Sequence, residues 1–119
     1  MSRYIDGFVL PVPKNRLDDY RELAELASTV WKEYGALEYV ECVADDVQVG
    51  ELTSFPRSVL LEEDETVIFA WIIYPSRAAR DEINTKVMQD PRLASMDASN
   101  VPFDGKRLFW GGFTELLRK

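Results

Sequence analysis

Two kinds of apolar run alternate along this chain, and each predicts a different element. Tyr4 to Val12 is rich in aromatic and β-branched residues and reads as a strand, with Pro11 and Pro13 marking its end because proline cannot donate to a ladder. Leu17, Tyr20, Ala24, Ala27, Trp31 and Tyr34 then recur at three- and four-residue steps, and Leu23, Leu26 and Val30 widen the stripe. That spacing predicts a helix over 15–34, with Asn15 as its cap, Asp18 and Asp19 set against the helix dipole, and Gly35 in the left-handed position after its end. Leu37 to Ala44 returns to strand character, and Asp45 to Phe55, with Gly50, Thr53 and Ser54, reads as a long loop before Pro56. Arg57 to Leu61 and Thr66 to Tyr74 flank Glu62-Glu63-Asp64-Glu65 and predict a hairpin with a solvated acidic tip, not a metal cluster. Ser76 is a natural cap for a helix over 76–88, where Ala79, Ile83 and Val87 are spaced by four and Asp90-Pro91 stops the run. Asn100 to Phe103, Asp104-Gly105 and Lys106 to Leu116 read as a small arm turning into a last strand. There is no internal repeat and no low-complexity segment.

The order is β-α-β-(β hairpin)-α-β, which predicts an α+β fold: a ferredoxin-like antiparallel sheet with two helices on one face. A sheet with one wet face alternates polar and apolar residues, yet Val67-Ile68-Phe69-Ala70-Trp71-Ile72-Ile73-Tyr74 has no polar parity. In the last strand Phe109, Gly111 and Phe113 share one parity, and Leu108, Trp110, Gly112 and Leu116 the other. Two helices roof one face only, and the second is too apolar to stand bare in water. An identical sheet from a second chain is the simplest cover, so the pattern predicts an obligate homodimer closing into an α/β barrel.

A length of 119 residues suits one core, so a single dimeric α/β-barrel domain over 1–119 is expected. Fourteen Lys and Arg against 21 Asp and Glu leave a net charge of −7, which argues against nucleic acid and anionic membrane surfaces as partners. The chain has no histidine, which removes the usual general base, the usual zinc ligand and the middle member of Ser-His-Asp and Cys-His sites. The lone Cys42 has no internal disulfide partner and no His to activate it, so it reads as strand packing. The apolar run Val67–Tyr74 is far short of the roughly 20 residues of a membrane-spanning helix. Asp6 and Gly7 interrupt any signal-peptide stretch, so a cytoplasmic address is expected.

Several fragments together resemble a known family. These are Tyr4-Ile5-Asp6-Gly7-Phe8-Val9, Tyr34-Gly35-Ala36-Leu37, Glu41-Cys42 with Asp45-Asp46-Val47, Ala70-Trp71-Ile72 with Tyr74-Pro75-Ser76, Asp90-Pro91-Arg92, and Pro102-Phe103-Asp104-Gly105-Lys106-Arg107 with Gly111-Gly112-Phe113. In this order they resemble the YbaA-like family of small bacterial proteins, a domain of unknown function, with Val101 and Leu108 standing where methionines are expected. The resemblance implies the dimeric α/β-barrel superfamily and supplies no substrate. Related branches include cofactor-independent monooxygenases, small-lactone isomerases and stress-response domains, so fold analogy leaves the function open.

Candidate chemistry starts with Asp6 and Glu41, carboxylates inside otherwise apolar strands, which must be paired or hydrogen-bonded if buried. Facing one cavity, they would form an acid/base pair with raised pKa values. Alternatively they bond to Arg57, Arg107 or backbone amides at strand ends. Gly7 and Gly111-Gly112 are expected to be neighbours on the first and last strands, leaving a thin place for close helix packing or a ligand ring, with Trp71 and Trp110 as walls, and a pocket in each barrel half would be lined by Trp71, Trp110, Tyr4 and the carboxylates. Asp45-Asp46 with Gly50 lacks the register of a calcium loop, and neither metal nor cofactor is expected. Two functions follow: a small-molecule enzyme or binder, or a non-catalytic interaction or stress-response module whose interior is filled by side chains.

Overall fold

In the computed structural model, which describes residues 2–119, the chain forms a four-stranded antiparallel sheet with its two long helices on one side. The strands are β1 (Tyr4–Pro13), β2 (Glu38–Val43), β3 (Glu65–Tyr74) and β4 (Phe109–Thr114), and they lie in the order β2-β3-β1-β4. The helices are α1 (Leu17–Glu33), α2 (Phe55–Ser58), α3 (Arg77–Gln89) and α4 (Pro91–Ala94). The two longest strands, β1 and β3, pair over their whole length from Tyr4↔Tyr74 to Pro13↔Glu65. Ser76 caps α3 by accepting a hydrogen bond from the Ala79 N–H, and Gly35, at φ 119°, ends the α1 region in a conformation that suits glycine.

The register sorts the sheet's side chains by face. Asp6, Leu10 and Val12 of β1 and Ile68, Ala70, Ile72 and Tyr74 of β3 point to the helices, where Tyr20, Val30, Ile83 and Val87 complete two buried clusters. The opposite face carries Phe69, Trp71, Phe109 and Phe113, and no helix longer than one turn lies over it. Phe69, Phe109 and Phe113 are 43%, 46% and 63% exposed. The excursion between β2 and β3 reaches this side, where Phe55 meets Phe69 at 5.6 Å between ring centroids and Val59 packs on Val9 and Val67.

Three local expectations fail. Arg57 to Leu61 is not a strand, so there is no hairpin before β3. Ser54 caps a helical turn by accepting from the Arg57 N–H, Pro56 supplies the fixed φ of a first turn, and Leu60 is left-handed at φ 48°. These local bonds outweigh a short apolar alternation. Asn15 is not the cap of α1, because a 3₁₀ turn over Lys14–Arg16 consumes it and puts Arg16 in that place with no side-chain bond. The last strand starts only at Phe109, since Asp104 holds the Lys106 N–H and the Arg107 Nε–H, both at 2.9 Å, and keeps this stretch turned.

The acidic segment before β3 is not wholly solvated either. Glu65 is buried, and Arg107 donates to both its oxygens at 2.8 and 2.7 Å. That fork ties the approach to β4 to the start of β3 and holds the Glu65 carboxyl below its usual pKa. A depressed folded-state pKa gives stability that is present above the ordinary carboxylate range and lost as pH falls through the lowered value. Arg107→Ala is therefore expected to cost about 3 kcal/mol in urea unfolding near neutrality, with the deficit shrinking toward acid pH. A loss independent of pH would mean that packing, not the ion pair, carries the effect.

Candidate functional site

Small residues open a space between α1 and the sheet. Ala70 lies at the centre of β3 with Phe8 and Glu41 as its cross-strand neighbours, and Ala24 and Ala27 face it from α1. The cavity they leave is about 390 Å³, walled by apolar and aromatic side chains that include Leu93 and Ala94 of α4, Met96, Phe103 and Leu108. A cavity of that size falls within the usual range for small-molecule sites.

Glu41 brings the cavity its single carboxylate. It sits in β2, and Tyr39, two residues earlier on the same face, donates its hydroxyl proton to Oε2 at 2.8 Å. Tyr20 of α1 donates to Oε1 from the other side. Burial pushes the Glu41 pKa up, and the two tyrosine hydrogen bonds oppose that rise. Burial and the neighbouring negative charge drive both tyrosines well above their ordinary pKa. Their hydroxyls stay protonated, so Glu41 is the group among the three that exchanges a proton under ordinary conditions.

Asp6 belongs to a different cluster. It is 1% exposed, with Oδ2 accepting from Tyr74 Oη at 3.0 Å and Asn84 Nδ2 at 3.4 Å. Arg80 Nη1 stands 3.6 Å from Oδ1, and the guanidinium lies 4.8 Å from the Tyr4 ring centroid and 5.9 Å from that of Trp110. Asn84 also accepts the indole N–H of Trp31 at 3.0 Å, which links this cluster to the cavity wall.

Asp6 and Glu41 thus share a face of the sheet without forming a pair, and neither bonds to Arg57 or Arg107. Arg57 binds the carbonyls of Val49 and Gly50, each at 2.9 Å, and Arg107 belongs to Glu65. Gly7 and Gly111 do pair, but on the face without helices, and the ring that covers them is Phe113, with Cε1 3.6 Å from where a Gly111 Cβ would stand. Gly112 opposes Asp6, and a side chain there would collide with Tyr4 and Arg80. Trp71 borders the cavity but lies on the outer parity, with its ring 5.5 Å from Phe69, and Trp110 stacks on Phe8 at 6.2 Å. Cys42 is exposed on the outer side of β2, not packed. Sequence reasoning missed Tyr20 and Tyr39, although Tyr39-x-Glu41 in a strand already places both side chains on one face. Among the described residues no group of three or more Cys, Asp or Glu is placed to hold a metal ion.

The family model for "Protein of unknown function (DUF1428)" matches residues 3–105, a span that includes Tyr20, Tyr39 and Glu41. The chain belongs to the DUF1428 family. "Uncharacterized protein YbaA" of Escherichia coli (strain K12) is 49% identical over 115 residues, covering 97% of each chain, and the protein of that name from Shigella flexneri matches to the same extent. Two crystal structures share the fold of this DUF1428 protein, both described as a dimeric ferredoxin-like protein from an uncultured marine organism. One has a TM-score of 0.65 at 7% identity and covers all of both chains. The other has a TM-score of 0.59 at 10% identity and covers 100% of this chain and 98% of its own. At that identity they show the ferredoxin-like fold alone. Among the described residues no helix is long and apolar enough to cross a membrane.

The raised pKa of Glu41 has a signed consequence. Its contribution to stability is full below the ordinary carboxylate pKa and is lost as pH rises through the higher folded-state value. Gln at this position does not titrate, so Glu41→Gln should gain thermal stability relative to the wild type as pH rises from the ordinary carboxylate pKa through the raised one. Melting curves across that range check this, and a difference that is flat or moves the other way rules out the raised pKa.

Proposed function

We propose that this DUF1428 protein is a homodimer in which each subunit binds, and has the means to act on, an apolar small molecule in the cavity at Glu41. The observation that carries this reading is a desolvated carboxylate held by two tyrosines in a space the protein's own side chains leave unfilled. An interaction module with no ligand would have its interior packed. Any catalysis in the cavity runs through proton transfer at Glu41, the one lining group with an accessible pKa.

Dimerisation rests on the uncovered face of the sheet. Phe69, Trp71, Phe109 and Phe113 lie on one pleated surface, and a second copy related by a two-fold axis offers the same surface in return. The two solved relatives of this fold are themselves described as dimeric. Because the cavity lies on the helix side, pairing of the outer faces leaves it free.

Each half of the proposal has its own test. In sedimentation equilibrium at micromolar concentration the protein is expected at twice the mass of one chain, and Phe113→Glu at the mass of one; a monomeric wild type overturns the dimer. For the cavity, the neutral fluorophore N-phenylnaphthylamine is expected to brighten on binding the wild type and to lose most of that signal with Ala24→Phe, which fills the space. Equal signal from a folded Ala24→Phe variant would place the binding elsewhere.

A further inference from the structure

The charge balance of the buried carboxylates says what kind of molecule the cavity takes. Asp6, Glu65 and Asp90 are the buried acidic residues, and each has an arginine: Arg80 at 3.6 Å, Arg107 at 2.7 Å and Arg92 at 2.8 Å. Glu41, desolvated beside the cavity, accepts from two tyrosine hydroxyls, and among the described residues no lysine or arginine lines the space around it. The fold compensates its interior charge three times and leaves it open at the one carboxylate that borders a void.

The hydrogen-bonding inventory points the same way. Each tyrosine hydroxyl has one proton, and both protons go to Glu41. Of the two tryptophans at the wall, Trp31 gives its indole N–H to Asn84, and Trp71 lies on the outer parity of β3, opposite Gly7. On the helix side of the sheet the tyrosine and Trp31 protons are thus already spent, and what the lining offers a charged ligand there is the acceptor oxygens of Glu41. An anion entering this space would meet a like charge and nothing to hold it, whereas a positively charged donor would find a carboxylate with spare lone pairs among the rings of Phe8, Tyr20, Trp31 and Tyr39.

We propose that the ligand is a hydrophobic cation: an amine on an aryl or alkyl body whose positive nitrogen donates to Glu41 while the apolar part fills the space beneath α1. This rests on the reading of the cavity as a ligand site and adds the charge and polarity of what enters it. Glu41 then plays for the ligand the part that Asp6, Glu65 and Asp90 play for arginines of the chain itself.

The test is a matched set of three probes titrated by calorimetry at mildly alkaline pH: phenylpropylamine, propylbenzene and phenylpropanoate. The amine is expected to bind at least about tenfold tighter than propylbenzene, with phenylpropanoate weakest. Glu41→Gln should bring the amine down to the level of propylbenzene and leave propylbenzene unchanged. Tyr39→Phe, which keeps the carboxylate, should keep the preference for the amine and so separates lost charge from disturbed packing. If propylbenzene binds as well as the amine, or phenylpropanoate binds best, the cation is wrong while the cavity stands. If none of the three binds, the ligand site itself is wrong and the cation falls with it.

Discussion

Two apolar faces and one layer of helices set the terms for this fold. β1 and β3 run side by side for ten residues each, and their side chains are apolar on both faces of the pleat apart from Asp6 and the strand ends. On one side α1 and α3 exclude water from Tyr74, Ile72, Ala70 and Ile68, all nearly fully buried. At roughly 1.5–3 kcal/mol for each large apolar side chain taken out of water, that layer dominates the stability of the isolated chain. The other side gets no such layer. Its aromatic residues cover what they can within the sheet, as Phe113 does over Gly7 and Gly111, and the short excursion around Phe55 and Val59 reaches one end only. That surplus is the surface the proposed second copy would cover.

The helix-side interior is itself unevenly filled. Where α3 meets β3, Val87, Ile83 and Tyr74 pack closely. Where α1 crosses the middle of the sheet, alanines face alanine, and the cavity follows from that choice of side chains, not from any irregularity of the backbone. One buried leucine or phenylalanine in place of Ala24 or Ala70 would recover van der Waals contacts that are now missing. A chain under selection for stability alone has an easy remedy for such a void, so its presence beside a half-buried carboxylate joins the packing and the polar chemistry into one feature.

The sequence made the layers legible and hid the partners. The stripe from Leu17 to Tyr34 gave α1 nearly to its ends, because helix periodicity is a property of neighbours along the chain, and the lack of polar parity in β3 exposed the two-faced sheet for the same reason. The pairing of Gly7 with Gly111 followed from topology. What failed was decided by local hydrogen bonds too small to show in a pattern, such as the Ser54 cap that turns Arg57 to Leu61 into a helical segment. The site was half visible. Asp6 and Glu41 stood out as carboxylates in apolar strands, but beside the strand tyrosines Tyr74 and Tyr39 their partners come from α3 and α1, on which Arg80 looks like a surface charge and Tyr20 like one more member of an apolar stripe. Arg57 and Arg107 were nearer candidates by position near strands, yet each is occupied by oxygens at its own end of the fold.

The contrast between Asp6 and Glu41 separates structure from function more sharply than either residue alone. Both sit at interior positions on the helix face of the sheet, and both accept tyrosine hydroxyls. Asp6 also has Arg80 beside it, and its surroundings are closed by Tyr4 and Trp110 stacked about that guanidinium and by Asn84. Arg80 supplies the counter-charge to Asp6 Oδ1 without a hydrogen bond to it, and Asn84 links Asp6 to Trp31 in the wall of the cavity. Glu41 has the same kind of acid with the counter-charge left out and open space in its place. Burying a carboxylate without a cation costs several kcal/mol in proportion to how well water is excluded, and hydroxyl donors offset only part of that. Three other carboxylates in the same small protein are neutralised by arginine, and it is this missing fourth counter-charge that the proposed cationic ligand would supply.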